Sequence, residues 1–236
     1  MSNNSWFEKL LKPKKKEEKI VADEKKKEEK NEKKKEKGIV ITIGRELGSG
    51  GRKVAKEVAK RLNLEYYDKE IITKAAKENG IDENLFKQVD ESDLDSFWYE
   101  FSVNAYKKEK QSASYKEMAA ADKLFMVQSD TIRDIAKKGG AVIVGRCATY
   151  ILKNNSKKVF ICANEKDRLE RIEKSYNVDA AKAKEIMEIS DKKRENYHTY
   201  YTNQNWKEKK NYDLVINTSE VGIEKAIEEV IKLSKA

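Results

Sequence analysis

Residues 39–52, Ile-Val-Ile-Thr-Ile-Gly-Arg-Glu-Leu-Gly-Ser-Gly-Gly-Arg, restrict the fold more than any other stretch of this chain. They open as a β-branched apolar run, the pattern of a strand buried on both faces of a parallel sheet, and break into a loop holding Gly44, Gly48, Gly50 and Gly51. A helix follows over 52–62, where Val54, Ala55, Val58, Ala59 and Leu62 recur at three- and four-residue spacing. Strand, glycine loop and helix together form a phosphate cradle. Glycines let backbone N–H groups turn toward an anion, and the helix start adds its positive dipole end.

The octet Arg45–Arg52 is a degenerate form of the G-x-x-x-x-G-K-[ST] phosphate-loop pattern. Gly50 fills the second glycine. Arg45 stands at the first glycine, Gly51 at the lysine and Arg52 at the magnesium-binding hydroxyl. A tight turn that only packs is the bland alternative. The two flanking arginines weigh against it, since a guanidinium holds phosphate bidentately where lysine supplies a point charge.

Charge separates the first 37 residues from the remainder: they hold 14 lysines against 9 acidic residues, more than half of the chain's net +9. The basic balance therefore belongs mainly to a tail, and it is poor support for a nucleic-acid-binding fold. Within that tail Trp6, Phe7, Leu10 and Leu11 precede Pro13 and Lys14–Lys16, and Lys/Glu low complexity runs to Lys37. It buries too little to offset ordering entropy, so disorder or a solvated helix is expected. A solubilising extension is one reading, and contact with a membrane or another polyanion is the other. Residues 38–236 are long enough for one domain.

From Leu64 to Tyr67 a short strand is expected, then a helix from Asp68 to about Gly80, and helices through 82–138 with a break near Ser92. The last of these runs from about Ser114 to Lys138 and ends at Gly139-Gly140. Buried strands follow at Ala141–Gly145, Lys158–Ala163 and Tyr212–Asn217, with a final helix over Val221–Ser234. Strands alternating with helices predict an α/β parallel sheet covered on both faces, with ligands at the carboxyl ends of the strands.

Only 8 of the 51 basic residues are arginine, so each arginine asks for a separate reason. Arg45 and Arg52 bracket the loop, Arg146 follows the strand ending at Gly145, and Arg133 precedes that strand. Arg168 and Arg171 share a helix face, Arg194 lies in a later charged helix, and Arg61 reads as exposed. Convergence on the rim of the sheet would suit phosphate-bearing substrates. The alternative is ordinary surface ion pairing. His198, the one histidine, lies among Tyr197, Tyr200 and Tyr201 and reads as a packing position, which argues against triad catalysis. Metal-site spacing is absent. Cys147 and Cys162 read as buried free thiols, and no stretch has the roughly 20 apolar residues of a membrane span, so a cytoplasmic protein is expected.

Four ordered motifs, Ile41–Arg52, Tyr67–Glu70, Val142–Ala148 and Asn211–Ser219, resemble the successive signatures of the cytidylate kinase-like family of P-loop proteins, from Gly38 to the C-terminus. The resemblance implies a P-loop nucleoside triphosphate hydrolase-type sheet of about five parallel strands, a helical insert for a monophosphate and a lid over ATP. By position Gly48, Ser49, Gly50, Gly51 and Arg52 would hold the ATP phosphates. Asp68, Arg133 and Arg146 would meet the acceptor, and Arg168 and Arg171 would open the lid that Asp191 and Arg194 close. Arg45, Arg52, Arg168 and Arg171 are the expected catalytic arginines, with Mg2+ bridging phosphate oxygens and no protein ligand assigned to it. Gly51, Arg52 and Cys147 depart from cytidylate kinases, which carry lysine, a hydroxyl residue and, after Gly-Arg, aspartate. Two functions follow. One is an ATP-dependent nucleotide kinase with CMP or dCMP as acceptor, and the other is a non-catalytic nucleotide sensor or scaffold. Specific nucleic-acid binding is not expected, because the tail lysines lack interleaved aromatics. Oligomeric state is not legible.

Overall fold

A computed structural model describes residues 38–68 and 120–236. The tail and the helices expected over 69–119 lie outside the described residues.

Five strands form one parallel sheet: β1 (Val40–Arg45), β2 (Glu65–Tyr67), β3 (Ala141–Val144), β4 (Lys157–Cys162) and β5 (Leu214–Asn217). Their order across the sheet is β2-β3-β1-β4-β5, and every pair is parallel. The apolar run at 39–43 becomes the central strand because both of its faces are covered. Ile41 and Ile43 point to one face, where they pack with Val54, Ala55 and Val58 of α1 (Gly51–Arg61) and with Ala226, Ile227 and Val230 of α6 (Thr218–Lys235). On the other face Val40 and Ile143 meet Ile132 and Ile135 of α2 (Ala120–Lys138), together with Ala148 and Leu152 at α3 (Ala148–Ile151). Two-residue alternation along β1 thus serves two cores at once. Beyond β4, α4 (Glu165–Tyr176) and α5 (Ala180–Thr202) pair through Ile172, Ala183 and Met187. No helix of the described residues is long and apolar enough to cross a membrane.

Element boundaries differ locally from expectation, each for a physical reason. β3 stops at Val144 because Gly145 turns with φ 74°. β5 starts at Leu214, since a 3-10 turn at Lys209–Asn211 precedes it and the Tyr212 hydroxyl is tied to the Trp206 carbonyl at 2.6 Å. The last helix begins three residues early, at Thr218, where the Asn217 side chain caps the Ser219 N–H, and it breaks at Gly222 (φ 79°, ψ 162°). α1 and α3 leave β1 and β3 toward opposite faces of the sheet, opening a crevice at the carboxyl ends of these neighbouring strands.

Candidate active site

The glycine loop between β1 and α1 is held from behind. Within it, the Ser49 hydroxyl donates to the Glu46 carbonyl at 2.8 Å and accepts from the Gly51 N–H at 3.3 Å. That fully buried hydroxyl is committed to the loop's own shape, so it does not replace the missing metal-binding hydroxyl. Arg168, itself buried, donates from Nε to the Leu47 carbonyl at 2.7 Å and pairs with Asp191 and Glu46. Asp191 accepts the Leu47 N–H at 2.9 Å and lies 3.1 Å from Arg194. Arg171 reaches the Gly48 carbonyl at 3.0 Å and the Thr218 hydroxyl at 3.1 Å, and Thr218 in turn donates to the Ser49 carbonyl at 2.7 Å. Gly48 is required here. With φ +74°, a Cβ would stand 2.6 Å from the Arg168 carbonyl.

In front of the loop, Asp68 at the end of β2 gathers two arginines: Arg52 Nε at 2.7 Å and Arg45 Nη2 at 3.4 Å. The Tyr66 hydroxyl also donates to Asp68 at 3.2 Å; burial, followed by the Asp68 charge, pushes that phenol up and keeps its proton in place. Arg45 leaves β1 and must cross the end of β3 to meet Asp68 beyond it. Gly145 provides the passage, since a Cβ there would collide with the Arg45 guanidinium.

Two recesses meet at this rim. A shallow hollow lies over the loop, lined by Arg45, Gly48, Gly50, Gly51, Arg52 and Arg194 among others. A cleft lies between the ends of β1 and β3 and the inner stripe of α5. Arg45, Arg146, Lys193 and Arg194 charge this cleft, and Tyr197, His198, Trp206 and Tyr212 form its aromatic end. Arg45 and Arg194 line both recesses.

The model of the cytidylate kinase-like family matches residues 40–220. This chain belongs to that family. A cytidylate kinase of Methanocaldococcus jannaschii is 31% identical over 194 residues, covering 79% of this chain and 92% of the relative. A crystal structure of an uncharacterized protein from Eubacterium ventriosum superposes with a TM-score of 0.61 at 28% identity, covering 84% of this chain and 99% of that one.

Within this family member the expected site residues divide into three groups. Arg45, Arg52, Asp68, Arg146 and Arg194 come together with Gly48–Gly51 at the rim. Arg168, Arg171 and Asp191 brace the loop instead of lining either recess. Arg133 joins neither, because it faces solvent on α2 and pairs with Asp130 at 2.7 Å. Cys147 lines the cleft with its thiol pushed up by burial, which disfavours the thiolate.

Several residues carried no sequence signal. Glu46 is buried in the loop and bound by Lys207 at 2.6 Å across 161 residues of chain. Gln128 donates to the Arg146 carbonyl at 3.3 Å and to the Tyr197 hydroxyl at 3.1 Å, supporting a turn in which Arg146 and Cys147 both have positive φ. Two consecutive left-handed non-glycine residues cost about 1–2 kcal/mol each, and they aim Arg146 at the cleft. Among the described residues no cluster of histidine, cysteine and carboxylates could hold a metal ion.

Proposed function

We propose that this protein is an ATP-dependent phosphotransferase acting on a nucleoside monophosphate, with CMP or dCMP as the favoured acceptor. The observation that carries the reading is the pair of recesses meeting at Arg45 and Arg194, one over a glycine loop and one charged by four cations at the switch point of the sheet. Two phosphate-bearing molecules laid in them would bring their anionic ends to the same two guanidinium groups. The name of the M. jannaschii relative supports the choice of acceptor.

In this mechanism the loop amides and the start of α1 hold the β- and γ-phosphates of ATP, with Arg52 in place of the usual lysine. Arg146, Lys193 and Arg194 hold the acceptor phosphate. An acceptor oxygen bonds to the γ-phosphorus as its bond to the β–γ bridging oxygen breaks, and ADP departs with that electron pair. Arg45 faces both recesses, where it neutralises charge spreading over the transferring oxygens. Asp68 fixes the direction of Arg45 and Arg52. Arg168, Arg171 and Asp191 act by holding the loop rigid, and α5 limits the access of water. Magnesium supplies further charge neutralisation when bound to the nucleotide. Among the described residues no ligand set is offered to it, since Glu46, Asp68 and Asp191 are each already bound by cations. The free state of Cys147 and Cys162 supports a reducing, cytoplasmic setting.

A specific observation favours a second reading. Loop lysine and hydroxyl are both replaced, which would suit a sensor that binds nucleotide without turning it over. Coupled ADP release from ATP and magnesium by the full chain, over a panel of ribo- and deoxynucleoside monophosphates, separates the two. Acceptor-dependent turnover is the expected result; ATP binding without turnover on any acceptor leaves the sensor. Arg52→Ala is expected to lower kcat by about 10²–10³-fold. The urea midpoint should fall as well, because the Asp68 side chain is only 9% exposed and loses its 2.7 Å partner while keeping Arg45 at 3.4 Å.

A further inference from the structure

His198 lies one helical turn beyond Arg194 on α5 and is the chain's single histidine. Only 5% of it is exposed, and it lines the aromatic end of the cleft. Its protonation can be worked out from its neighbours. Nδ1 stands 3.2 Å from the Gln204 carbonyl oxygen and 3.1 Å from Thr202 Oγ1. The carbonyl can only accept. The one hydrogen of the Thr202 hydroxyl is committed to the His198 carbonyl at 2.7 Å, and one Oγ1 lone pair takes the Gln204 N–H at 3.2 Å. What remains on Oγ1 toward the ring is a lone pair. Both neighbours of Nδ1 therefore demand a donor, and the imidazole proton sits on Nδ1. Burial holds the ring neutral by lowering its pKa below the ordinary 6.5. Nε2 is left as a bare acceptor, with no hydrogen-bond partner among the described residues.

That acceptor stands in unusual company. Among the described residues the cleft is charged by four donor-rich cations, and no carboxylate is among those that line it. Four residues of helical rise, about 6 Å, separate His198 from Arg194. An acceptor whose phosphate lies at Arg194 would cover that distance with its sugar and bring its ring among Tyr197, His198 and Trp206. Resting on the phosphotransferase reading, we propose that His198 determines base specificity, its Nε2 accepting a hydrogen bond from an exocyclic amine on the acceptor's base. A carbonyl at the same ring position would set lone pair against lone pair in a buried place. Such a mismatch lowers affinity by about tenfold or more.

Calorimetric titration of the full chain with CMP and with UMP tests this without requiring catalysis. Wild type is expected to bind CMP at least about tenfold more tightly. His198→Phe keeps a ring and removes the acceptor, so the preference should fall to within about threefold, with CMP losing its hydrogen bond and UMP relieved of the lone-pair mismatch. His198→Gln carries an amide oxygen near the Nε2 position and should keep most of the preference. A second readout needs no variant: the Nε2 nitrogen resonance of the single histidine should move with CMP and stay in place with UMP. An unchanged CMP-to-UMP ratio in His198→Phe, or equal binding and equal resonance shifts in wild type, overturns the proposal. Binding with the stated preference but without turnover on any acceptor keeps the role of His198 and removes the kinase. Binding of neither nucleotide removes both.

Discussion

Arg45 depends on Gly145 for its position, and that dependence can be tested. The glycine lies at φ 74° with the guanidinium packed where a Cβ would be. Gly145→Ala is expected to push Arg45 away from Asp68 and cut kcat/KM by about a hundredfold, the order seen when one transition-state contact is lost. It should also cost about 1–2 kcal/mol through the left-handed backbone. The coupled assay and a urea titration read the two effects separately. A variant with the activity of wild type would show that Arg45 does not act on the reacting phosphates. His198 predicts a pH effect. Its native pKa is depressed below 6.5, so the ring is neutral in native and unfolded states alike above that value. Below 6.5 the unfolded chain takes up a proton that the native ring refuses, and stability falls with falling pH until the native pKa is passed. Comparing wild type with His198→Phe from pH 7.5 to 5 should expose this loss as a difference in urea midpoint that grows on acidification.

At the scale of elements, α4 and α5 act as a brace for the glycine loop. Asp191 is the joint of that brace, receiving the Leu47 N–H, Arg168 and Arg194 at one carboxylate. Its side chain is 13% exposed and the Arg168 side chain 8%, so removing one partner leaves a buried charge short of compensation. Asp191→Ala is expected to destabilise the protein by about 3 kcal/mol. The loop should also become more mobile, visible as faster amide exchange over 46–50. An unchanged urea midpoint together with unchanged exchange would mean that the loop holds its shape without α5.

Across the whole molecule, stability and site share one origin, the placing of β1 at the centre of the sheet. Ile41 and Ile43 are completely buried, whereas Leu214 on the outermost strand β5 is only partly so. Ile41→Ala should cost about 2–5 kcal/mol, and Leu214→Ala distinctly less. Equal losses at the two positions in urea unfolding would contradict this arrangement of the core. Because β1 delivers Arg45 and the loop directly from that core, the rim inherits its rigidity. The crevice arises only because α1 and α3 leave β1 and β3 in opposite directions.

The local pattern of the chain was enough to determine the α/β class, a first strand buried on both faces, the glycine loop and the approximate positions of the described strands, whereas the order of those strands in the sheet came only from the structure. These properties follow from spacing along one segment, where β-branched runs, three- and four-residue periodicity and glycine each act within a few residues. The scarcity of arginine singled out Arg45, Arg52, Arg133, Arg146, Arg168, Arg171 and Arg194 alike, before any of them had neighbours. Which arginines face the recesses was decided by tertiary contacts alone. Arg168 and Arg171 carry the same chemistry as Arg45, yet they meet carbonyls of Leu47 and Gly48 more than 100 residues away and turn behind the loop. The acceptor state of His198 was equally beyond reach of the sequence. It depends on a short network in which one hydroxyl's single hydrogen is already spoken for, and only the folded geometry of the α5 terminus says where that hydrogen points.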